Sequence, residues 1–182
     1  MIFNTFSHYF HAIIDPPNQE ELLDSIESSR LHDDQHFPWT NDCNIEVKRL
    51  DPNDIKLGPT LDEFFIKFPS NGPFMMSVQD VWQSTYTKGC FQEMHDHLPS
   101  AISGVIFLDD HQEDFSRFFF HYKHCSELTK EWREVFFPNS RYYIKGKRGQ
   151  VLLFPSHMMH GVTVHKSDTI RRTVAFNIQL KK

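Results

Sequence analysis

Residues 149–180 read GQVLLFPSHMMHGVTVHKSDTIRRTVAFNIQL, and the way this stretch divides decides the fold. Val151 to Phe154 is an unbroken apolar run of strand length, the pattern of a strand buried on both faces. Pro155 ends it, because proline has no N–H to give to a ladder. The three residues after Pro155 form a turn, and a second strand, GVTVH, starts from His160. The last segment alternates. Arg171, Thr173, Ala175 and Asn177 fall on one face, and Arg172, Val174, Phe176 and Ile178 on the other. Val174, Phe176 and Ile178 need apolar cover, which turns the Arg171 face toward the interior of a β structure. The competing reading is an edge strand whose polar face meets water. Arg172 sits by parity on the apolar face and has to snorkel outward.

The same texture holds from Phe74 onward. FMMSVQDVWQSTYT (74–87), AISGVIFL (101–108), FSRFFFHYK (115–123) and RYYIKG (141–146) are strand-like runs punctuated by Gly, Pro, Asn and Asp. SELTKEWREVF (126–136) reads as a short helix inserted among them. No parallel βαβ alternation is present, so the expected class is mainly β with flanking helices: an antiparallel sandwich or jelly-roll barrel. Ahead of it, residues 2–14 look like one or two strands. Residues 15–29 then read as a helix, with Asn18 as N-cap, Glu21 three residues on, and Leu22, Leu23 and Ile26 as its stripe. In GPTLDEFFIKFPSNGP (58–73), Thr60 and Glu63 suggest a capping box, and Leu61, Phe64, Phe65 and Phe68 recur at helical spacing. Both helices are expected to cover the outer face of the sheet.

The chain has 182 residues, a net charge of −5 and a pI near 6.2. That length suits one domain, with residues 1–73 supporting a core built from 74–182. No Lys/Arg run is long enough to track a phosphate backbone, so nucleic acid is not the expected partner. No apolar stretch approaches the ~18 residues needed to span a bilayer. Cys43, Cys90 and Cys125 are odd in number and far apart, which gives neither a disulfide framework nor a zinc knuckle and fits a cytoplasmic protein. Eighteen Phe against seven Gly point to a core filled by aromatic rings.

The chemistry-bearing residues lie around His95 and His97 in QEMHDHLPS (92–100). On a strand, residues i and i+2 share a face, so both imidazoles can reach one metal while Asp96 turns away. A His-x-His pair alone is weak in a chain with twelve histidines, and exposed residues ahead of the Pro99 turn would look the same. The order of the set carries more. His160, starting an inward-facing strand, completes a triad more naturally than His157 in the turn. Non-haem iron sites take two His and one carboxylate. Period 2 here selects three imidazoles, with Asp96 and Asp80 as reserve ligands. Arg171 can clamp a carboxylate, because its planar fork donates two parallel charge-assisted hydrogen bonds, and Thr173 can add a hydroxyl.

With those residues assembled, the chain resembles the Fe(II)- and 2-oxoglutarate-dependent oxygenases, most closely the small members known from bacteria and phages with a prolyl-hydroxylase-like pattern. The matching pieces are His95-Asp96-His97, Ser103-Gly104-Val105 through Leu108, Gly149 to Ser156, His160, and Arg171-Arg172-Thr173 to Asn177. Tyr86-Thr87-Lys88-Gly89 resembles the Y-x-x-G stretch of such relatives, and the likeness spans about residues 74–180. It implies a double-stranded β-helix, iron on the His pair plus the distal His, and O2 and 2-oxoglutarate as co-substrates of a hydroxylase-type reaction that yields succinate and CO2. It also implies that the far carboxylate of 2-oxoglutarate pairs with an Arg about ten residues past the distal His. Arg171 stands eleven past His160, which favours it over Arg172, and Tyr86 is a candidate second donor. Most members carry a carboxylate where this chain has His97.

Two other readings fit parts of the pattern. A three-histidine zinc enzyme of hydratase or hydrolase type would use the same triad to lower the pKa of bound water to about 7. A non-catalytic jelly-roll module would keep the fold without turnover.

Overall fold

Val151, Leu152, Leu153 and Phe154 expose none of their surface, as a strand packed on both faces requires. The computed structural model describes residues 10–30, 45–67, 72–121, 129–136 and 141–182. In chain order the elements are β1 (Ala12–Ile14), α1 (Gln19–Ser28), β2 (Glu46–Leu50), α2 (Gly58–Lys67), β3 (Met75–Tyr86) and β4 (Gln92–His95). They continue with β5 (Ile102–Phe107), β6 (Phe118–His121), α3 (Lys130–Phe136), β7 (Arg141–Ile144), β8 (Val151–Pro155), β9 (His160–Val162) and β10 (Arg171–Lys181). Six strands make one sheet in the order β1-β8-β5-β10-β3-β2, and four make a second, β4-β9-β6-β7. Every pairing is antiparallel.

The alternation of each central strand sorts its side chains into two cores. Ile102, Ile106, Val151, Leu153, Val174, Phe176 and Ile178 pack with Leu22, Leu23 and Ile26 of α1 and Leu61 and Phe64 of α2. Val105, Phe107, Leu152 and Phe154 face the other way, onto Phe118, Phe120, Ile144 and Val162 of the second sheet. The layers are therefore helices, six-stranded sheet, four-stranded sheet. β10 lies between β5 and β3, so the edge-strand reading of Arg171 and its neighbours is excluded. Gly104 sits where β10 presses closest, and a Cβ there would come within 2.2 Å of the Phe176 ring. Among the described residues no ladder joins the two sheets, so the jelly roll is an open sandwich rather than a closed barrel. No described helix is long and apolar enough to cross a membrane.

Several local expectations are corrected. β2 (EVKRL), a half-polar edge strand paired to β3, gives no clear signal in the sequence. With β1 on the opposite edge, the N-terminal segment supplies both borders of the larger sheet. α2 begins two residues before Thr60: Leu61 N–H already donates to Leu57 O at 3.0 Å. Thr60 is thus a helical residue whose buried Oγ1 has no hydrogen-bond partner, not a cap. Asn18 does precede α1, but its amide donates to Lys56 O at 3.0 Å and to Glu21 Oε2 at 3.4 Å instead of capping the helix N–H groups. Phe68, Cys43, Cys125, Leu128 and residues 2–9 lie outside the described residues.

Candidate metal centre and anion pocket

β4 and β9 pair with an offset: Gln92 is opposite Val162, and His95 is opposite His160. Two residues on β4, Glu93 and Met94, stand opposite one on β9, Gly161, so one extra residue bulges out and re-aims the strand. His95 therefore faces the same cavity as Gln92, while Glu93 and Met94 are exposed. The carbonyl of Glu93 accepts a hydrogen bond from His95 Nδ1–H at 2.7 Å, and that of Met158 does the same for His160 Nδ1–H at 2.8 Å. Each bond fixes the ring as the Nδ1–H tautomer and leaves the Nε2 lone pair for a metal.

His97 arrives differently from the period-2 expectation. β4 ends at His95, and His97 lies in the loop beyond it, where its N–H donates to Ser156 O at 2.9 Å. Behind Ser156 stands a buried hydroxyl chain: its Oγ is 2.8 Å from Ser103 Oγ, which donates to Asn177 Oδ1 at 2.9 Å. Three stretches flagged in the sequence, around residues 103, 156 and 177, thus meet in one network behind the triad.

The ligand atoms of His95, His97 and His160 lie within 4.8 Å of one another, and His97 Nε2 is 3.1 Å from His160 Nε2. Two metal–nitrogen arms of about 2.1 Å at a right angle would span ~3.0 Å, so the donor set fits a divalent transition metal. Phe118 stacks on His160 at 5.2 Å and Phe154 meets it edge-on at 4.9 Å. Trp82 lies 5.5 Å from the His97 ring. This apolar wall holds the imidazoles neutral. Burial lowers the His97 pKa to about 4, with His95 adding to the effect, and lowers His160 well below the usual histidine range. His95 is lowered too, again chiefly by burial. Neutral rings are what a metal requires.

Arg171, Thr173 and Tyr86 line the same cavity. Arg171 and Tyr86 are 5 % and 2 % exposed, yet among the described residues no carboxylate comes within 4.0 Å of the Arg171 guanidinium. Its Nη1 donates to Ser116 Oγ at 3.3 Å, and its Cζ sits 5.0 Å from the Tyr86 ring centre. Burial lowers the basicity of Arg171 and raises the Tyr86 phenol, the latter opposed by the charge of Arg171. Tyr86 therefore stays a hydroxyl donor, here to Gln92 Oε1 at 3.0 Å. The charge of Asp109 acts on Arg171 from beyond contact distance, and a buried cation with no carboxylate in contact has N–H groups suited to an anion. Arg172, as expected, snorkels: its Nη2 is 3.8 Å from Asp109 Oδ1 at the surface.

Asp96 and Asp80 are not brought into this group. Both are exposed, and Asp96 Oδ1 accepts the Leu98 N–H at 3.2 Å. His157 stays in the turn, half-buried. Gln92, Trp82, Ser116 and His165 belong to the cavity or its supports without having been singled out. No motif marks them.

An antiparallel sandwich that brings three imidazoles and a buried guanidinium to one cavity is consistent with a metal-dependent oxygenase of the double-stranded β-helix class, with a third imidazole where most members carry a carboxylate. Residues 80–177 match the family model described as "Putative 2OG-Fe(II) oxygenase", more than half of the chain, and the chain belongs to that family. It is an Fe(II)- and 2-oxoglutarate-dependent oxygenase. Among solved structures the fold is similar to a 2OG-Fe(II) oxygenase family oxidoreductase from Burkholderia pseudomallei, with TM-score 0.62, 12% identity, and coverage of 93% of this chain and 84% of that one. HygX from Streptomyces hygroscopicus with nickel and 2-oxoglutarate bound gives TM-score 0.60 at 14% identity, covering 94% and 83%. The viral collagen prolyl hydroxylase of Paramecium Bursaria Chlorella virus-1 gives 0.57 at 13% identity, covering 93% and 95%. No curated protein sequence matches the chain.

Proposed function

We propose that His95, His97 and His160 hold Fe(II) through their Nε2 atoms, and that Arg171, Thr173 and Tyr86 receive 2-oxoglutarate. The observation that carries this reading is the buried, carboxylate-free guanidinium of Arg171 in the cavity shared with the three imidazoles. Bound Fe(II) supplies the redox chemistry by which O2 oxidatively decarboxylates 2-oxoglutarate to succinate and CO2 and oxidises a second substrate, in hydroxylase fashion. The chain's part is placement. The Glu93 and Met158 carbonyls hold His95 and His160 as Nδ1–H tautomers, and the Ser156 carbonyl holds the His97 backbone. Arg171 offers a bidentate fork to the far carboxylate, and the Thr173 and Tyr86 hydroxyls offer further donors. Phe118, Phe154 and Trp82 keep water from the imidazoles.

Three neutral imidazoles leave the metal centre one charge unit more positive than two imidazoles and a carboxylate, which strengthens its hold on a dianionic co-substrate. The integration of β1 and β2 into the larger sheet supports a single domain over residues 1–182, and three widely spaced cysteines in no CxxC arrangement fit a cytoplasmic location. The test is turnover: Fe(II)-loaded protein under air should form succinate from 2-oxoglutarate. Absence of metal-dependent 2-oxoglutarate consumption with every candidate substrate tried would refute the reading.

A further inference from the structure

We propose that Ser116 and His165 are positioning residues for the co-substrate, holding the Arg171 guanidinium in the orientation that receives the far carboxylate of 2-oxoglutarate. The inference rests on the assignment of Arg171 above and extends it to two residues outside every motif of the sequence. Ser116 is 1 % exposed and His165 not at all. His165 Nε2–H donates to Thr169 O at 2.7 Å, which makes Nδ1 the acceptor nitrogen. That Nδ1 takes the Ser116 N–H at 3.1 Å and lies 3.3 Å from Ser116 Oγ. The Ser116 N–H and hydroxyl share this one lone pair, and with the hydroxyl proton turned to the imidazole the Oγ lone pairs accept Arg171 Nη1–H at 3.3 Å.

The relay is anchored at both ends. His165 N–H donates to Cys90 O at 2.7 Å and Gly89 N–H donates to His165 O at 2.9 Å, so the ring hangs from a two-bond bridge to the turn that follows Tyr86. Thr169 lies two residues before Arg171, so the far end closes onto the start of β10. A guanidinium has five N–H groups. Ser116 takes one at Nη1 and the Tyr86 hydroxyl engages the guanidinium as well, which still leaves N–H groups for a carboxylate. An arginine has many rotamers, and fixing it before the ligand arrives removes an ordering cost from binding.

The experiment is calorimetric titration of the full-length, Fe(II)-loaded protein under anaerobic conditions with 2-oxoglutarate and with 2-oxobutyrate, a 2-oxo acid lacking the far carboxylate. Ser116→Ala should weaken 2-oxoglutarate about tenfold, the scale of one hydrogen bond to a charged group. It should leave 2-oxobutyrate and Fe(II) affinity unchanged, and Ser116→Thr should restore 2-oxoglutarate. His165→Asn, whose Oδ1 can stand where Nδ1 does, should retain more 2-oxoglutarate affinity than His165→Leu. Equal losses for both acids, or no loss in Ser116→Ala, would overturn the proposal. If Arg171→Ala also keeps full affinity, the assignment of Arg171 fails with it; if only Ser116→Ala is silent, the relay alone fails.

Discussion

Gln92 and His95 stand three residues apart on β4 and still face one cavity, because a bulge lets one residue out between them. Gly161 on β9 packs against this bulge: a Cβ there would lie 3.0 Å from Gln92 O, 3.2 Å from Glu93 O and 3.0 Å from the Phe119 ring. Gly161→Ala must therefore push on the carbonyl that orients His95. We expect weaker Fe(II) binding, within the ~10–100-fold that disturbing such a supporting contact costs, at a stability loss of about 1–3 kcal/mol. Metal titration and urea unfolding measure the two, and unchanged metal affinity would show that the bulge does not govern His95.

Asp96, between the two histidines, is the tempting carboxylate ligand. Its Oδ1 is engaged with Leu98 N–H and its side chain faces solvent. Asp96→Ala should keep one metal ion per chain, whereas His160→Ala should not. Metal analysis after gel filtration decides between them, and loss of metal from the Asp96 variant would place that carboxylate on the ion.

Arg171→Ala should retain metal and lose 2-oxoglutarate. Truncating one partner of a buried, hydrogen-bonded charge pair costs about 2–5 kcal/mol, roughly thirtyfold to several thousandfold in affinity. Arg171→Lys should rescue little, since an ammonium cannot reproduce the fork. A three-histidine zinc hydratase has no need of this guanidinium, so zinc-dependent activity untouched by Arg171→Ala would favour that class instead.

The metal-free protein should lose stability in mild acid. Unfolded imidazoles titrate near 6.5, while burial lowers His97 to about 4 and lowers His95 and His160 as well. Below about pH 6.5 the unfolded chain binds protons that the native chain refuses, so the unfolding free energy falls as pH drops toward 4. Urea melts between pH 7.5 and 4.5 follow this, and His97→Gln should flatten the slope. A slope unchanged by that substitution would contradict the account.

How much of this was legible in the sequence depended on whether a residue's neighbours are local. β8 and β10 announce themselves, since a strand between two cores must be apolar or alternate with the right parity, and Pro155 fixes where β9 starts. The turn after Pro155 and the parity of the last strand make His160 and Arg171 candidates, and the family resemblance selects them. The bulge in β4 has no glycine or other marker, so QEMHDH reads as a plain strand, whereas His97 reaches the cavity from the loop beyond β4. β2 has no legible signal because an edge strand with one wet face carries a weak pattern. Thr60 mimicked a cap, but Leu57 already supplies the first helical carbonyl. Ser116 and His165 are 49 residues apart, and only the folded sandwich makes them neighbours.

The most direct measurement is an anaerobic crystal structure with Fe(II) and 2-oxoglutarate. The account predicts one ion about 2.0–2.2 Å from the Nε2 atoms of His95, His97 and His160, with the far carboxylate of 2-oxoglutarate on the Arg171 fork. An ion bound without His97, or a 2-oxoglutarate whose far carboxylate meets a group other than Arg171, would contradict it.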